Sequence, residues 1–379
     1  MNSRLCLIAN GFQEDYIINY LASLSGKFDQ IDFIGSSIYL KEKIHSSINF
    51  YDLQGGGVQN QPLAKRVKRV IIYYFSLLRF FLRKPRRGII HIQWLRFKIL
   101  DGIIFPLIFK LLGYKIIYTV HDIVPHDRDT AFNRMVFKII YKINWKLIVH
   151  TEFIKTRLSR EFGIEEKKIG LIHHGVYDIK DKNLILDKQD AKIKLGINPD
   201  TLLILFFGYI TRYKGLDLLL EAFASINAAS NAHLIIAGRV YDNYKQALDE
   251  LQIKYKANNI QFIIRRIEEE ELPVLFGAAD LTALPYREAS QSGVLFMSYA
   301  YGVPVIAPDI GGFPHDVIDG KTGLIFRSEN VTSLKEKFEE FILRRRNNPL
   351  YSKKEIRDYA RENYSWEKSA NDLVNFLKV

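Results

Sequence analysis

The stretch that most limits what this chain can fold into is LTALPYREASQSGVLFMSYAYGVPVIAPDIGGFPHDVIDGKTGLIF, Leu281 to Phe326. It opens on a strand-like run, Leu281 to Leu284, and turns through Pro285-Tyr286-Arg287-Glu288 and the small residues Ala289 to Gly293. A helical run, Val294 to Tyr301, follows, and Gly302-Val303-Pro304-Val305-Ile306 ends it and begins the next strand. A second turn, Asp309 to Pro314, comes at once. Strand, turn, helix and strand in this order belong to a parallel α/β sheet, whose ligands bind at the carboxyl ends of the strands. The turn sets the carboxylate of Glu288 and the backbone N–H groups of Ser292, Gly293 and Val294 at such an end. A helix N-terminus there favours an anion. Two ligand-facing turns back to back suggest a nucleotide site.

The same alternation extends through the chain. Strand-like runs occur at 4–9, 30–34, 48–53, 88–94, 115–120 and 147–152, and again at 202–207, 233–239 and 260–266. The dinucleotide pattern G-x-G-x-x-G is absent, which argues against a dehydrogenase. A chain of 379 residues fits two domains of about 150 to 200 residues each. With 48% hydrophobic and 25% charged residues it can fill two cores. The Lys-, Asp- and Asn-rich interval 178–199 reads as the linker region. Cys6, the one cysteine, lies in an apolar run and reads as a buried thiol. No signal-peptide pattern and no apolar run of about 18 residues are present. The expectation is a cytoplasmic protein, with any membrane contact peripheral.

The net charge of +12 sits in the first half. Between Asp52 and Asp101 no acid occurs, whereas Lys65, Arg66, Lys68, Arg69, Arg79, Arg83, Lys84, Arg86 and Arg87 cluster there. From Pro62 to Leu82 the pattern is helical, with Val67, Val70, Ile71, Tyr74, Leu78, Phe81 and Leu82 on one stripe and Tyr73, Phe75 and Phe80 as outward aromatics. Such a helix reads as interfacial, touching an anionic membrane surface, or as a core helix with a solvated basic rim. No nucleic-acid-binding motif accompanies the charge.

Two further stretches offer chemistry. Lys115 to Val120 delivers His121-Asp122 into a loop; a histidine at the end of a buried strand suits an active site, and the neighbouring Asp122 could orient it. Gly208-Tyr209-Ile210-Thr211-Arg212-Tyr213-Lys214-Gly215 is a glycine-bounded turn into a helix, where Arg212, Lys214 and the backbone at Gly208 offer donors to a diphosphate. His173-His174 point apart on a strand and lack a carboxylate cluster, so no metal site is expected.

The segment 284–326 resembles the donor-binding region of the GT-B glycosyltransferases, in particular the retaining family 4. Glu288, the Gly293 turn, Gly302-Val303-Pro304-Val305-Ile306 and Gly320-Lys321-Thr322-Gly323-Leu324 stand in step with that pattern. Lys214-Gly215, Thr119-Val120-His121-Asp122 and Ile172-His173-His174-Gly175-Val176 are similar to further family segments. The resemblance implies an α/β protein of GT-B architecture, two Rossmann-like domains facing across a cleft. Residues 1–182 would be the acceptor- and membrane-facing domain, 183–362 the donor domain, and 363–379 a helix crossing back.

It also implies transfer of a sugar from a UDP or GDP conjugate to an acceptor hydroxyl with retention of configuration. His121 and Glu288 would be catalytic. Gly208, Arg212, Lys214, Ser292, Gly293 and Val294 would hold the diphosphate, and Arg239, Arg265 and Arg266 the base or ribose. Asn10, Gly11, Asp122 and His174 would lie on the acceptor side. No cofactor or metal is called for, because cationic side chains can take the metal's place. Two positions depart from the pattern: the second glutamate is replaced by Phe296 or Met297, and Tyr209 stands where an arginine is common. The basic, apolar first half suggests a lipid-linked acceptor, as in polysaccharide or glycolipid assembly at the inner membrane face. Alternative readings are a nucleotide-sugar epimerase of the same fold, which product analysis would separate, and a catalytically silent sugar-nucleotide or membrane-binding protein.

Overall fold

The computed structural model describes residues 4–10, 14–35, 44–54, 62–84, 88–124, 129–177, 186–226, 231–347 and 350–378. Two compact units emerge, one of residues 1–175 with 366–379, the other of residues 176–365.

The first unit is built on a parallel sheet of seven strands: β1 (Arg4–Ile8), β2 (Gln30–Gly35), β3 (Ile48–Asp52), β4 (Ile89–Ile92), β5 (Lys115–Thr119), β6 (Lys146–Val149) and β7 (Ile169–Leu171). Their order is β3-β2-β1-β4-β5-β6-β7, so the winding reverses between β1 and β4. Strands such as Ile116-Ile117-Tyr118-Thr119 are buried on both faces because helices cover both. Leu5, Leu7, Ile31 and Phe33 pack on the helices Glu14–Leu24 and Trp366–Lys378. Ile90, Ile116, Tyr118 and Leu147 face a second core with the helices Leu63–Arg83, Phe105–Leu111 and Ala131–Ile143.

The second unit repeats the plan with β8 (Leu202–Phe207), β9 (Ala232–Ala237), β10 (Ile260–Ile263), β11 (Leu281–Ala283), β12 (Val305–Pro308) and β13 (Gly323–Phe326). Their order is β10-β9-β8-β11-β12-β13, all parallel, and the reversal falls between β8 and β11. The chain is thus an α/β protein with two doubly wound parallel sheets. In each unit the reversal opens a crevice at the carboxyl ends of the central strands, where such sheets bind ligands.

The Leu63–Arg83 helix differs from the expected stripe. Tyr73, Leu77 and Phe81 are its buried residues, and Tyr73, expected outside, donates to Asn10 Oδ1 at 3.2 Å. Val67, Ile71 and Leu82, expected inside, are exposed, together with Leu63, Ile72 and Phe75. Lys65, Lys68, Arg69, Arg79 and Arg83 share one polar side, and the apolar side opposite is wider than one core covers, so its partners choose which part turns inward. Phe81 packs on Phe109 at 4.4 Å and Tyr74 stacks on Phe105 at 4.9 Å. The next segment begins with one π-helical turn, Leu100–Ile104, before the Phe105–Leu111 α-helix. Among the described residues no helix is long and apolar enough to cross a membrane.

Candidate active site

The second unit gathers its glycine-containing turns at the β8–β11 reversal. Gly215 adopts φ +67°, and a Cβ there would stand 1.9 Å from the Pro285 carbonyl oxygen. Only glycine lets the Arg212–Lys214 turn press against the Pro285–Glu288 turn. Gly311, at φ +60°, does the same with the Ala289 carbonyl, where a Cβ would lie 1.6 Å away. Gly208 and Gly238 bring the ends of β8 and β9 equally close. Backbone contacts therefore assemble the three turns after β8, β11 and β12 around one place.

Lys214 lies half-buried there, its Nζ 3.6 Å from the centroid of the Tyr286 ring. The ring face attracts the ammonium and positions it without neutralising it. Tyr286 is buried, takes a hydrogen bond from Ser292 Oγ at 3.3 Å and meets Phe313 edge-on. Ser292 also caps the Gly293–Ala300 helix, accepting from Leu295 N, which leaves the first N–H groups of that helix at the site. Gly293 and Glu288 are exposed, and so is Arg212. An ammonium, a guanidinium and a helix N-terminus at neighbouring strand ends suit a diphosphate.

Arg287, between Tyr286 and Glu288, is a residue the sequence reading passed over. Its guanidinium forks onto Asp217 at 2.8 and 2.6 Å and also donates to the Arg212 carbonyl at 2.9 Å. Its own N–H donates to the Tyr213 carbonyl at 2.7 Å. It thus ties the Lys214 turn to the Glu288 turn. The ion pair holds Arg287 above the usual guanidinium range and, against the effect of burial, holds Asp217 below the usual carboxylate range. An arginine inside the motif and an aspartate in the first turn of the following helix were visible; their contact was not.

Of the expected base-side residues, Arg239 is exposed at the end of β9. Arg265 forks onto Glu271 at 2.7 and 2.6 Å, and Arg266 reaches Glu268 at 3.6 Å. Arg265 is therefore engaged within its own loop. Tyr209, beside Gly208, is exposed and meets exposed Tyr241 in a tilted ring contact at 5.0 Å. Phe296, at the place of a second glutamate, is buried against Tyr364.

In the first unit, neighbouring strands β4 to β7 bring Gln93, His121, His150 and His174 together. His121 stacks on Trp94 with ring centroids 4.4 Å apart and planes 7° apart. Its Nε2 donates to Gln93 Oε1 at 3.0 Å, which fixes the tautomer. Gln93 Nε2 donates in turn to His91 Nε2 at 3.2 Å. His150 Nδ1 donates to the Ile172 carbonyl at 2.6 Å and its Nε2 accepts from Tyr16 at 3.2 Å. His174 Nδ1 donates to the Gly175 carbonyl at 2.7 Å beneath Tyr16 and Trp366. Burial pushes all four imidazoles down, His91 and His174 to about 3, His150 to about 4 and His121 well below its ordinary value. His121 is thus a neutral, oriented imidazole, suited to accept or give a hydrogen bond.

Asp122 follows it, half-buried. Asn10 donates to the Trp94 carbonyl at 3.1 Å and accepts from Gln54 at 2.7 Å, which bridges the β1 and β4 ends. Gly11, Arg86 and Arg87 lie outside the described residues. Lys84, expected to face a membrane, instead donates to Asp32 at 3.1 Å and to Tyr51 at 3.0 Å. Its pKa is raised by those bonds in spite of burial. Lys65, Arg66, Lys68, Arg79 and Arg83 are exposed, and Arg69 is half-exposed.

Two family models match the chain in tandem: "Glycosyltransferase Family 4" over residues 35–178 and "Glycosyl transferases group 1" over residues 187–363. An uncharacterised 41.2 kDa protein in the cps region of Klebsiella pneumoniae is 24% identical over 71% of this chain and 73% of its own length. A D-inositol 3-phosphate glycosyltransferase of Mycobacterium sp. (strain KMS) is 31% identical over 49% of this chain; that match spans 42% of the mycobacterial enzyme. In three dimensions the chain is similar to Anabaena Alr3699/HepE, solved with UDP and glucose, with a TM-score of 0.76 at 16% identity over 99% of each chain. The chain belongs to the group 1, family 4-like glycosyltransferases and is a transferase of GT-B fold.

Proposed function

We propose that this glycosyltransferase moves a sugar from a nucleoside-diphosphate sugar, a UDP or GDP conjugate, to a hydroxyl of a lipid-linked acceptor, with retention of configuration. The observation that carries the donor half is the Lys214 ammonium on Tyr286 beside the Ser292-capped helix. As the sugar–phosphate bond breaks, charge grows on the leaving diphosphate. Lys214, Arg212 and the N–H groups of Gly293 and Val294 stabilise it, with no metal ion required. Glu288 holds hydroxyls of the donor sugar, and His121 serves the acceptor side. The Anabaena relative, whose structures contain UDP, supports a uridine donor.

The lipid-linked half rests on the first unit. The Leu63–Arg83 helix, the 97–111 segment and the Ala131–Ile143 helix share one core, and each leaves large apolar side chains in solvent. These include Ile71 and Phe75, Leu107 and Leu111, and Phe132 and Met135. Interspersed exposed cations make such a face suited to an anionic membrane, on which it would dock peripherally at the cytoplasmic leaflet. Such an enzyme would suit polysaccharide or glycolipid assembly.

Two assays test the proposal. Nucleotide release from UDP- and GDP-sugars should depend on Lys214 and Glu288, and one conjugate should be strongly preferred. Cosedimentation should be greater with anionic than with neutral vesicles. Equal recovery with both lipids would remove the membrane half while leaving the donor half standing.

A further inference from the structure

The base of the second sheet, at the opposite ends of the strands from the donor turns, holds charges that the transfer reaction does not use. Asp280, just before β11, is buried. Its Oδ2 accepts from Lys192 Nζ at 2.7 Å and from Leu203 N at 2.9 Å. Its Oδ1 accepts from Lys188 Nζ at 2.8 Å. Lys192 is itself fully buried and donates also to the carbonyls of Pro199 and Thr201 at 3.2 and 2.7 Å. Asp280, Lys188 and Lys192 thus form a saturated structural knot, already one positive charge in excess.

Among the described residues, two more cations share the field of this one carboxylate. Arg345, near the end of the Val331–Asn347 helix, stands 3.7 Å from Asp280 Oδ1, beyond hydrogen-bond range. Lys353, the first residue of the Lys353–Tyr364 helix, donates to the Gly277 carbonyl at 2.6 Å. A cation at a helix N-terminus faces the positive end of the helix dipole. Burial, then the neighbouring Lys188, brings the Lys353 ammonium down to about 8, and Arg357 and Lys192 add to the repulsion. Concentrating like charges in a half-buried place is unfavourable unless an anion joins them. Lys188 and Arg345 keep about 40% of their side chains in solvent, so an anion can reach them from outside.

We propose that this cluster is a binding site for a small, doubly charged oxyanion, inorganic phosphate or a phosphomonoester, held by Lys188, Arg345 and Lys353. Arg345 offers a planar fork and the two lysines point charges, the usual partners of a phosphoryl group. The site is separate from the donor turns, so its ligand would act on the enzyme's stability or activity without competing for the nucleotide.

The test is the full chain melted in increasing inorganic phosphate, with sodium chloride of matched ionic strength as the control. A saturable rise in melting temperature is expected with phosphate and not with chloride. It should persist in Lys214→Ala, which disables the donor turn, and the phosphate midpoint should move at least tenfold in Lys188→Ala/Arg345→Ala. A second variant, Arg345→Glu, supplies a carboxylate in place. It should melt higher than wild type without phosphate and no longer respond to it. Absence of saturation, an equal effect of chloride, loss of the response in Lys214→Ala alone, or an unchanged midpoint in the double variant would each overturn the proposal. None of these results would touch the donor reading.

Discussion

An ammonium lying 3.6 Å from an aromatic centroid is attracted to the ring face and held in place, and this is the physical content of the Lys214 proposal. Lys214→Ala should lower the affinity for the preferred nucleoside diphosphate about 10- to 100-fold, the equivalent of one charge-assisted hydrogen bond of roughly 1.5 to 3 kcal/mol. Titration calorimetry measures it, and unchanged affinity would reassign the diphosphate site. The Arg287–Asp217 fork makes a different prediction. Arg287→Ala and Asp217→Ala should weaken donor use to similar extents and fail to add in the double variant, with a coupling of about 1 kcal/mol for this half-exposed pair. Additive losses would mean that the two residues act separately. The turn at Lys214 and the helix start at Ser292 were legible as structure because a glycine-bounded turn and a helix cap are local patterns. Arg287 was not, because its partner lies 70 positions earlier in the chain and nothing local pairs them.

For the elements, the Leu63–Arg83 helix shows how periodicity reaches its limit. Helix and basic flanks were readable from spacing. The inward face was not, because the apolar side is wider than one core covers and the neighbouring Phe105 and Phe109 decide which of its residues are covered. The two faces now separate experimentally. Ile71→Asp/Phe75→Asp should abolish binding to anionic vesicles and leave the melting temperature within about 2 °C, since surface changes cost about 0.5 kcal/mol or less. Tyr73→Ala should instead destabilise the first unit by about 3 kcal/mol or more, as removal of a buried aromatic does. Retained vesicle binding in the aspartate variant, measured by cosedimentation, would refute the membrane face.

The buried histidines and the buried Asp316 should answer to acid in opposite directions. In the first unit, His91, His121, His150 and His174 stay neutral when folded, whereas an unfolded histidine takes up a proton near pH 6.5. Their folded values lie below the unfolded one, so stability is present above pH 6.5 and is lost as the pH falls towards about 4. The slope is roughly 1 kcal/mol per pH unit for each imidazole. In the second unit, burial raises Asp316 to about 7, so it stays protonated where an unfolded aspartate ionises. Its contribution is present below about pH 4 and is lost as the pH rises through 7. Trp94, Trp145 and Trp366, all three tryptophans of the chain, lie in the first unit. The urea midpoint read by their fluorescence should therefore fall markedly between pH 7 and pH 5, and a flat profile would mean that the histidine cluster is solvated.

What the sequence determined by itself was the pair of parallel α/β sheets and the turns that follow β8, β11 and β12. Those follow from apolar runs of strand length, glycines at the turns and helix caps, all short-range properties. The tertiary structure alone decided that Arg287 meets Asp217, that four strand ends join their histidines and aromatics into one buried cluster, that Lys84 serves Asp32, and that four cations gather near one carboxylate. These contacts depend on the spatial order of the strands, which reverses in the middle of each sheet and brings together residues that no local pattern relates.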